Sequence, residues 1–154
     1  MLNKFFKLVF TSGPLIIGAA SASSAMTPAE CETRYTAADT AKQGYLTEKE
    51  APAYFAIYRV TNKVISDGKL MKDIFLKDCS AGIFDAAAND KDAPLSGANS
   101  FTEGQAKDRI LAHGGADVSQ LKKDDKGIWR GTAKLDNAQE NVAVDYKGNV
   151  VFTK

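Results

Sequence analysis

The sequence predicts an α+β protein with an N-terminal helical unit and a C-terminal helix packed on an antiparallel β-meander. In the first half, apolar residues recur at helical spacing on both sides of a twelve-residue loop, residues 39–50. After residue 115 the apolar period changes from 3.6 to 2, the period of strands. With 154 residues and 44% hydrophobic content, the chain is long enough for one ordinary domain or two small ones.

Residues 1–25 are set apart from the rest of the chain. They contain two lysines, no acid, an apolar run and a small-residue ending, Ala22-Ser23-Ser24-Ala25. This pattern predicts a secretory signal that is cleaved after Ala25, with Ala22 as the next candidate. A retained membrane anchor is the alternative, but Gly13-Pro14 splits the apolar run, and a span needs about 20 apolar residues.

The mature chain has almost no net charge. Cleavage would remove two lysines and no acids, which takes the net charge from +1 to −1. Such a balance does not indicate nucleic acid or an acidic membrane as a partner. We therefore expect a periplasmic or secreted protein with no nucleic-acid partner and no stable membrane insertion after signal cleavage.

The exported part divides into three segments. Residues 26–88 show helical periodicity, whereas residues 101–154 change from a helix to alternating strands. Residues 89–100 between them are polar and small and include Pro94 and Gly97, which is typical of a linker.

Two helices frame the twelve-residue loop. Thr27 can cap the first helix, and Glu30 can complete its capping box. Thr47 and Glu50 repeat the same spacing at the start of the second helix. Pro52 follows closely, and a proline there should bend or delay that helix.

The residue types along the loop suit a bound cation. Asp39 stands at position 1, Gly44 at position 6 permits a sharp turn, and Glu50 at position 12 can close the shell with two oxygens. The candidate metal ligands are Asp39, Gln43, Tyr45 through its carbonyl oxygen, Thr47 and Glu50.

The same loop lacks two of the ligands that a strong site needs. Ala41 at position 3 has no side-chain oxygen, and Gln43 at position 5 is neutral and long. Because affinity follows the charge and number of ligands, we expect a calcium dissociation constant of roughly 10⁻⁴ to 10⁻³ M or weaker.

A second loop repeats part of the pattern in residues 63–74. Lys63 stands at its first ligand position and Ile74 at its last, so this loop cannot hold calcium. Its Leu70 aligns with Leu46 of the first loop, and these residues predict that the two loops pair.

Residues 26–85 resemble EF-hand domains. The resemblance rests on Asp39, Gly44, Leu46, Thr47 and Glu50 and on the weaker repeat at Asp67-Gly68 and Leu70. It implies paired helix-loop-helix units, a weakly bound calcium ion as the cofactor, and first and last helices that are neighbours.

The two cysteines are the only ones in the chain. In an exported protein an even count predicts one disulfide, with two buried thiols as the alternative. Cys31 and Cys79 each lie on the apolar face of a predicted helix. The helix pairing that the resemblance implies would bring these faces together in a Cys31–Cys79 bond.

The second half predicts one helix followed by a meander. Thr102 can cap the helix with Gln105 three residues later, and Gly114-Gly115 end it. The predicted strands cover residues 118–122, 128–135, 142–146 and 150–152. One helix and hairpin-linked strands pack as a helix on one face of an antiparallel sheet.

Residues 98–154 resemble PepSY-like domains. The resemblance rests on the helix Thr102–Ala112, the segment Gly127–Gly131 and the closing segment Val144–Val150. As a whole, the chain is similar to small periplasmic proteins of Gram-negative bacteria. This implies binding or regulation, sometimes of exported hydrolases, rather than catalysis.

The sequence shows no catalytic constellation. His113 is the only histidine and falls at a helix end, where a cationic side chain is favourable, so a catalytic base is the weaker interpretation. Trp129 and Arg130 could form a binding face, but a covered sheet residue is the usual role of such a tryptophan. There is no G-x-S-x-G, nucleotide-binding loop or Cys-His pair.

We therefore expect an exported, non-enzymatic binding or regulatory protein with a degenerate EF-hand that binds calcium weakly. The alternative is an interaction or inhibitor-like module that binds an envelope protein or peptide through its C-terminal sheet, with no metal bound.

Overall fold

The computed structural model describes residues 26–85 and 89–154, and the predicted signal segment, residues 1–25, lies outside them. The N-terminal unit contains α1 (Pro28–Ala38), β1 (Tyr45–Leu46), α2 (Pro52–Val60), β2 (Leu70–Met71) and α3 (Lys72–Ser80). The C-terminal unit contains α4 (Glu103–Ala112), β3 (Lys122–Lys123), β4 (Trp129–Leu135), β5 (Ala138–Val144) and β6 (Val150–Thr153). The predicted α+β class, helices first and antiparallel strands last, is confirmed.

Both predicted capping boxes at helix starts in α1 and α4 are present. The Thr27 N–H donates to Glu30 Oε2 at 2.8 Å, and the Glu30 N–H donates back to Thr27 Oγ1 at 3.3 Å. Thr102 and Gln105 make the same reciprocal pair before α4, at 2.9 and 3.2 Å. Each box satisfies backbone donors that a helix start leaves free.

The second helix starts later than its capping-box spacing suggested. Residues 48–50 form a turn, and α2 begins at Pro52. The helical conformation is disfavoured for a residue that precedes proline, and Ala51 accordingly has φ −137° and ψ 57°. The delay attributed to Pro52 is therefore confirmed.

The two loops pair as the sequence predicted. Strands β1 and β2 are antiparallel, with Leu46 opposite Leu70 and Tyr45 opposite Met71. Leu46 and Leu70 are both almost completely buried. The short ladder joins the centres of the two loops over the N-terminal core.

An aromatic cluster and one disulfide hold the N-terminal unit together. Phe75 is fully buried, and its ring centroid lies 5.4 Å from Tyr35, 4.8 Å from Tyr54 and 4.7 Å from Phe84. The predicted disulfide joins Cys31 of α1 to Cys79 of α3, with their Cα atoms 5.8 Å apart. The bond closes the unit from its first helix to its last.

The C-terminal sheet has the order β3-β4-β5-β6 with every neighbour antiparallel. Asp136 and Asn137 connect β4 to β5 with φ values of 49° and 66°, the two left-handed residues that a tight hairpin requires. Helix α4 covers one face of the sheet. The core between α4 and the sheet contains Ala106, Ile110, Leu121, Ala133, Val142, Val144 and Val150.

Two strands differ from their predicted extents. The strand predicted at residues 118–122 shortens to β3, and the preceding chain touches β4 only at isolated points, such as the bridge between Ala116 and Lys134. Asp117 has a left-handed φ of 46°, which interrupts the extended backbone between them. The third strand, predicted at residues 142–146, begins four residues earlier at Ala138 and ends at Val144, two residues before Tyr146.

A buried aspartate ends β5. Asp145 is fully buried, and its Oδ1 accepts hydrogen bonds from the N–H groups of Lys147 and Asn149 at 2.9 and 3.1 Å. Burial alone would raise the pKa of Asp145, but these bonds and one from the Leu95 N–H lower it. The charged carboxylate thus fixes the turn between β5 and β6.

The two units touch each other. Helix α2 packs on α4, and the Arg59 guanidinium joins Asp108 of α4 at 2.7 Å and Glu48 at 2.8 Å. The predicted linker, residues 89–100, has no helix or strand but binds the sheet, because the Val150 N–H donates to Asn89 Oδ1 at 2.8 Å. In residues 26–85 and 89–154, no helix has the length and apolar character needed to cross a membrane.

Candidate functional site: the loop of residues 39–50

Asp39 is the carboxylate around which the first half of the loop turns. It follows α1 directly and is 8% exposed. Its two oxygens accept hydrogen bonds from the N–H groups of Gln43 and Gly44, each at 3.0 Å. Left-handed φ values of 54° at Lys42 and 80° at Gly44 bend the chain back far enough to aim these donors. Burial opposes the charge on Asp39, but these bonds lower its pKa.

Tyr35 lies beneath this carboxylate. Its hydroxyl is buried and faces the Asp39 carboxylate, but the contact lacks the full geometry of a hydrogen bond. Burial first, and then the negative charge of Asp39, raise the pKa of Tyr35 to about 12. The phenol therefore stays neutral at any physiological pH.

Glu50 closes the other end of the loop. Its Oε1 accepts from the Ala41 N–H at 3.3 Å, and its Oε2 accepts from the Gln43 side-chain amide at 3.0 Å. Oε2 also accepts from the Thr47 hydroxyl at 2.6 Å and the Thr47 N–H at 3.1 Å. The Thr47 hydroxyl contributes most to lowering the pKa of Glu50.

Gln43 connects the two acids. Its backbone N–H binds Asp39 while its side-chain amide binds Glu50. A carboxylate has about four lone-pair sites, so the donors on Glu50 already fill its capacity. The loop is thus closed by hydrogen bonds between its own groups. The Gln43 side-chain amide donates to the Glu50 oxygen that a calcium ion would otherwise bind.

The structure gathers four of the five sequence-predicted ligands into one network. Asp39, Gln43, Thr47 and Glu50 are joined by the hydrogen bonds described above, whereas Tyr45 lies in β1 with Lys69 Nζ 4.6 Å from its ring centroid. Within the described ranges, no lysine or arginine forms an ion pair with Asp39 or Glu50. Those ranges also contain no cluster of three or more His, Cys, Asp or Glu residues suited to a metal.

The donor set therefore fits a calcium ion poorly in this conformation. A calcium ion needs six to eight oxygen ligands, and Glu50 would have to release the Ala41 and Gln43 donors to bind it with both oxygens. Calcium binding stays a prediction that a titration must test.

The second loop has its own positive charge. Lys63, at the first ligand position of that loop, places its Nζ 2.7 Å from Oδ1 of the buried Asp78. The Tyr58 hydroxyl donates to the other oxygen of Asp78. Burial opposes the charge, but these two partners lower the pKa of Asp78. The sequence pattern did not predict this group, because Lys63 and Asp78 lie 15 residues apart and share no motif.

The other candidate residues, His113 and Trp129, lie within hydrogen-bond distance of backbone carbonyl groups. His113 ends α4, and its Nδ1 lies 2.8 Å from the Arg109 carbonyl oxygen. The Trp129 indole N–H donates to the Phe101 carbonyl at 3.1 Å, and its ring packs against the sheet core. Trp129 is therefore a covered sheet residue.

Comparisons with known proteins add no assignment. The chain matches no protein-family model, no curated protein and no solved structure. The resemblances to EF-hand and PepSY-like domains accordingly stay predictions.

Proposed function

We propose that this chain is an exported, non-enzymatic binding protein whose N-terminal unit is a permanently closed support for the C-terminal half. The loop of residues 39–50 closes without a cation, and the mature chain binds an envelope protein or peptide. The observation that carries the proposal is the occupancy of Glu50, both of whose oxygens accept hydrogen bonds from the loop itself.

Two further observations support this proposal. The Cys31–Cys79 disulfide suits an oxidising compartment and fixes the helices on either side of the paired loops. Arg59 then links this stapled unit to α4 through Asp108, so the position of α4 depends on α2. A support of this kind needs stability rather than a calcium-driven change of shape.

A weak calcium site is the second candidate function. It is favoured by two carboxylates, Asp39 and Glu50, that lie in one network with no positive side chain on either within the described residues. The Gln43 amide could rotate to present its oxygen instead of its nitrogen, since amide orientation is set by the partners around it. The affinity would then be in the millimolar range.

A calcium titration separates the two candidates. For the mature chain, residues 26–154, we expect no saturable heat and no rise in melting temperature up to ~10 mM calcium. As a matched control, the double variant Ala41→Asp, Gln43→Asp supplies the two missing ligands and should gain calcium-dependent stability. At 100 times the dissociation constant that gain is about 2.7 kcal/mol.

The two outcomes exclude each other. Saturable heat from the wild-type chain below ~10 mM would contradict the closed support and favour the calcium site. A wild-type chain that stays silent while the double variant responds would support the closed loop, because Gln43→Asp also removes the amide donor that occupies Glu50.

A further inference from the structure

A cavity of about 240 Å³ lies where the two units meet. Helix α2 and the turn after α3 form one side, and α4 and the turn between β5 and β6 form the other. Neither unit encloses this space alone. The cavity is separate from the loop of residues 39–50, and none of the residues that line it belongs to that loop.

Arg109 of α4 is held rigidly at this cavity. Its guanidinium carbon lies 4.1 Å from the centroid of the Phe101 ring. Gly148 also contacts the guanidinium, because a Cβ atom built at this residue would lie 3.0 Å from the guanidinium carbon. The backbone of the turn can approach so closely only because residue 148 is glycine. Phe101 and Gly148 therefore both confine the Arg109 side chain.

The guanidinium has no protein acceptor among the residues that the structure describes. Its Nε is buried and without a hydrogen-bond partner, and the side chain takes part in no ion pair there. Burial lowers the pKa of Arg109, but a guanidinium stays charged in proteins. The Nη groups of the same guanidinium have no hydrogen bond to the described residues either, and they are the donors that an anion in the cavity would meet.

The other charged groups at the cavity limit the charge of that ligand. Lys147 is already paired with Asp90 at 3.0 Å, and His113 uses Nδ1 on the Arg109 carbonyl. Asp85 is exposed and brings a negative charge to the lining. The lining thus offers one cation without an ion-pair partner in the described residues, Arg109, and one carboxylate, Asp85. This balance of charge favours a ligand with a single negative charge over a phosphate.

The rest of the lining sets the ligand's size and polarity. The apolar residues of the lining are Ile57, Val60, Ile83 and Ala112. The cavity volume of about 240 Å³ suits a small ligand. This is smaller than the usual range for drug-sized ligands, about 300–1,000 Å³.

We propose that this Arg109 cavity binds a monocarboxylate with a short apolar tail. The carboxylate receives two parallel hydrogen bonds from the guanidinium, and the tail lies against the aliphatic wall. The ligand is either a free short-chain carboxylic acid or the C-terminal residue of a peptide. The inference rests on the proposed binding function and names the chemistry of its ligand.

The test is a titration of the ¹⁵N-labelled mature chain, followed through its amide resonances. Hexanoate should shift the amides of Ala112, His113 and Gly148 saturably in the millimolar range, and hexanamide should not. N-acetyl-glycyl-leucine and its C-terminal amide form the second pair of probes. Binding of hexanoate alone identifies a free acid as the ligand, and tighter binding of the peptide acid identifies a peptide C-terminus.

Two variants assign the effect to the guanidinium. Arg109→Gln should weaken hexanoate binding about tenfold or more, because it removes the charged pair of hydrogen bonds. Lys107→Gln removes an equal charge from the same helix and should bind like the wild type. Melting curves establish that both variants fold.

Three results would overturn the inference: no saturable shift in the wild type, equal binding of acid and amide, or equal binding by Arg109→Gln. The wild-type shifts do not depend on either variant, so a misfolded variant would leave that arm decisive. A negative result in the hexanoate titration would leave the closed loop unaffected, because the calcium titration tests that loop separately.

Discussion

Replacing Phe75 by alanine should lower the free energy of unfolding by about 3–5 kcal/mol, the usual cost of deleting a buried aromatic ring. Phe75 has no exposed surface and touches three other rings, those of Tyr35, Tyr54 and Phe84. These residues come from α1, α2 and the turn after α3, so the cavity left behind cannot collapse by moving one element. Urea unfolding followed by circular dichroism measures the loss.

Ile74→Ala is the matched control for this experiment. Ile74 precedes Phe75 in α3 but is 43% exposed. Its truncation should therefore change the free energy of unfolding by no more than about 0.5 kcal/mol. Equal losses from the two substitutions would contradict the placement of Phe75 at the centre of the N-terminal core.

Removing the disulfide should have the second large effect. In the chain-entropy model, a bond between residues 48 apart stabilises the fold by about 4 kcal/mol. The double variant Cys31→Ala, Cys79→Ala should therefore lose about 2–5 kcal/mol in the same urea experiment. Because α1 and α3 belong to the N-terminal unit, amide exchange should accelerate more in residues 26–85 than in the sheet.

Reduction of the wild-type protein is the control for that variant. Reduction opens the same bond without changing any side-chain volume except for two added hydrogens, so it should reproduce most of the loss. A loss of unfolding free energy below about 1 kcal/mol in both cases would contradict the stabilising role of the Cys31–Cys79 bond. Equal acceleration of exchange in both halves would contradict its restriction to the N-terminal unit.

Features that depend on local chemistry or on fixed spacing could be predicted from the sequence. The capping boxes at Thr27 and Thr102 need only residues three apart in the chain. The pairing of Leu46 with Leu70 followed from aligning two loops at one glycine. The late start of α2 followed from the backbone restriction that Pro52 imposes.

Features that depend on side-chain orientation or on distant contacts could not. Gln43 carries both a donor and an acceptor, and its type does not tell which one faces Glu50. The ion pair between Lys63 and Asp78 depends on the packing of α3 beside the second loop, which the residue types alone do not specify. No sequence pattern marks Arg109, because the ring and the glycine that confine it lie before and after its own helix in the chain.

The loop of residues 39–50 closes through its own hydrogen bonds, and amide hydrogen exchange in excess EDTA is the direct test of that closure. We expect protected N–H groups at Ala41 and Gly44, with Glu50→Ala removing the protection of Ala41 and leaving that of Gly44, which Asp39 holds. Exchange of both amides at the free-chain rate in EDTA, with protection appearing only when calcium is added, would contradict the claim.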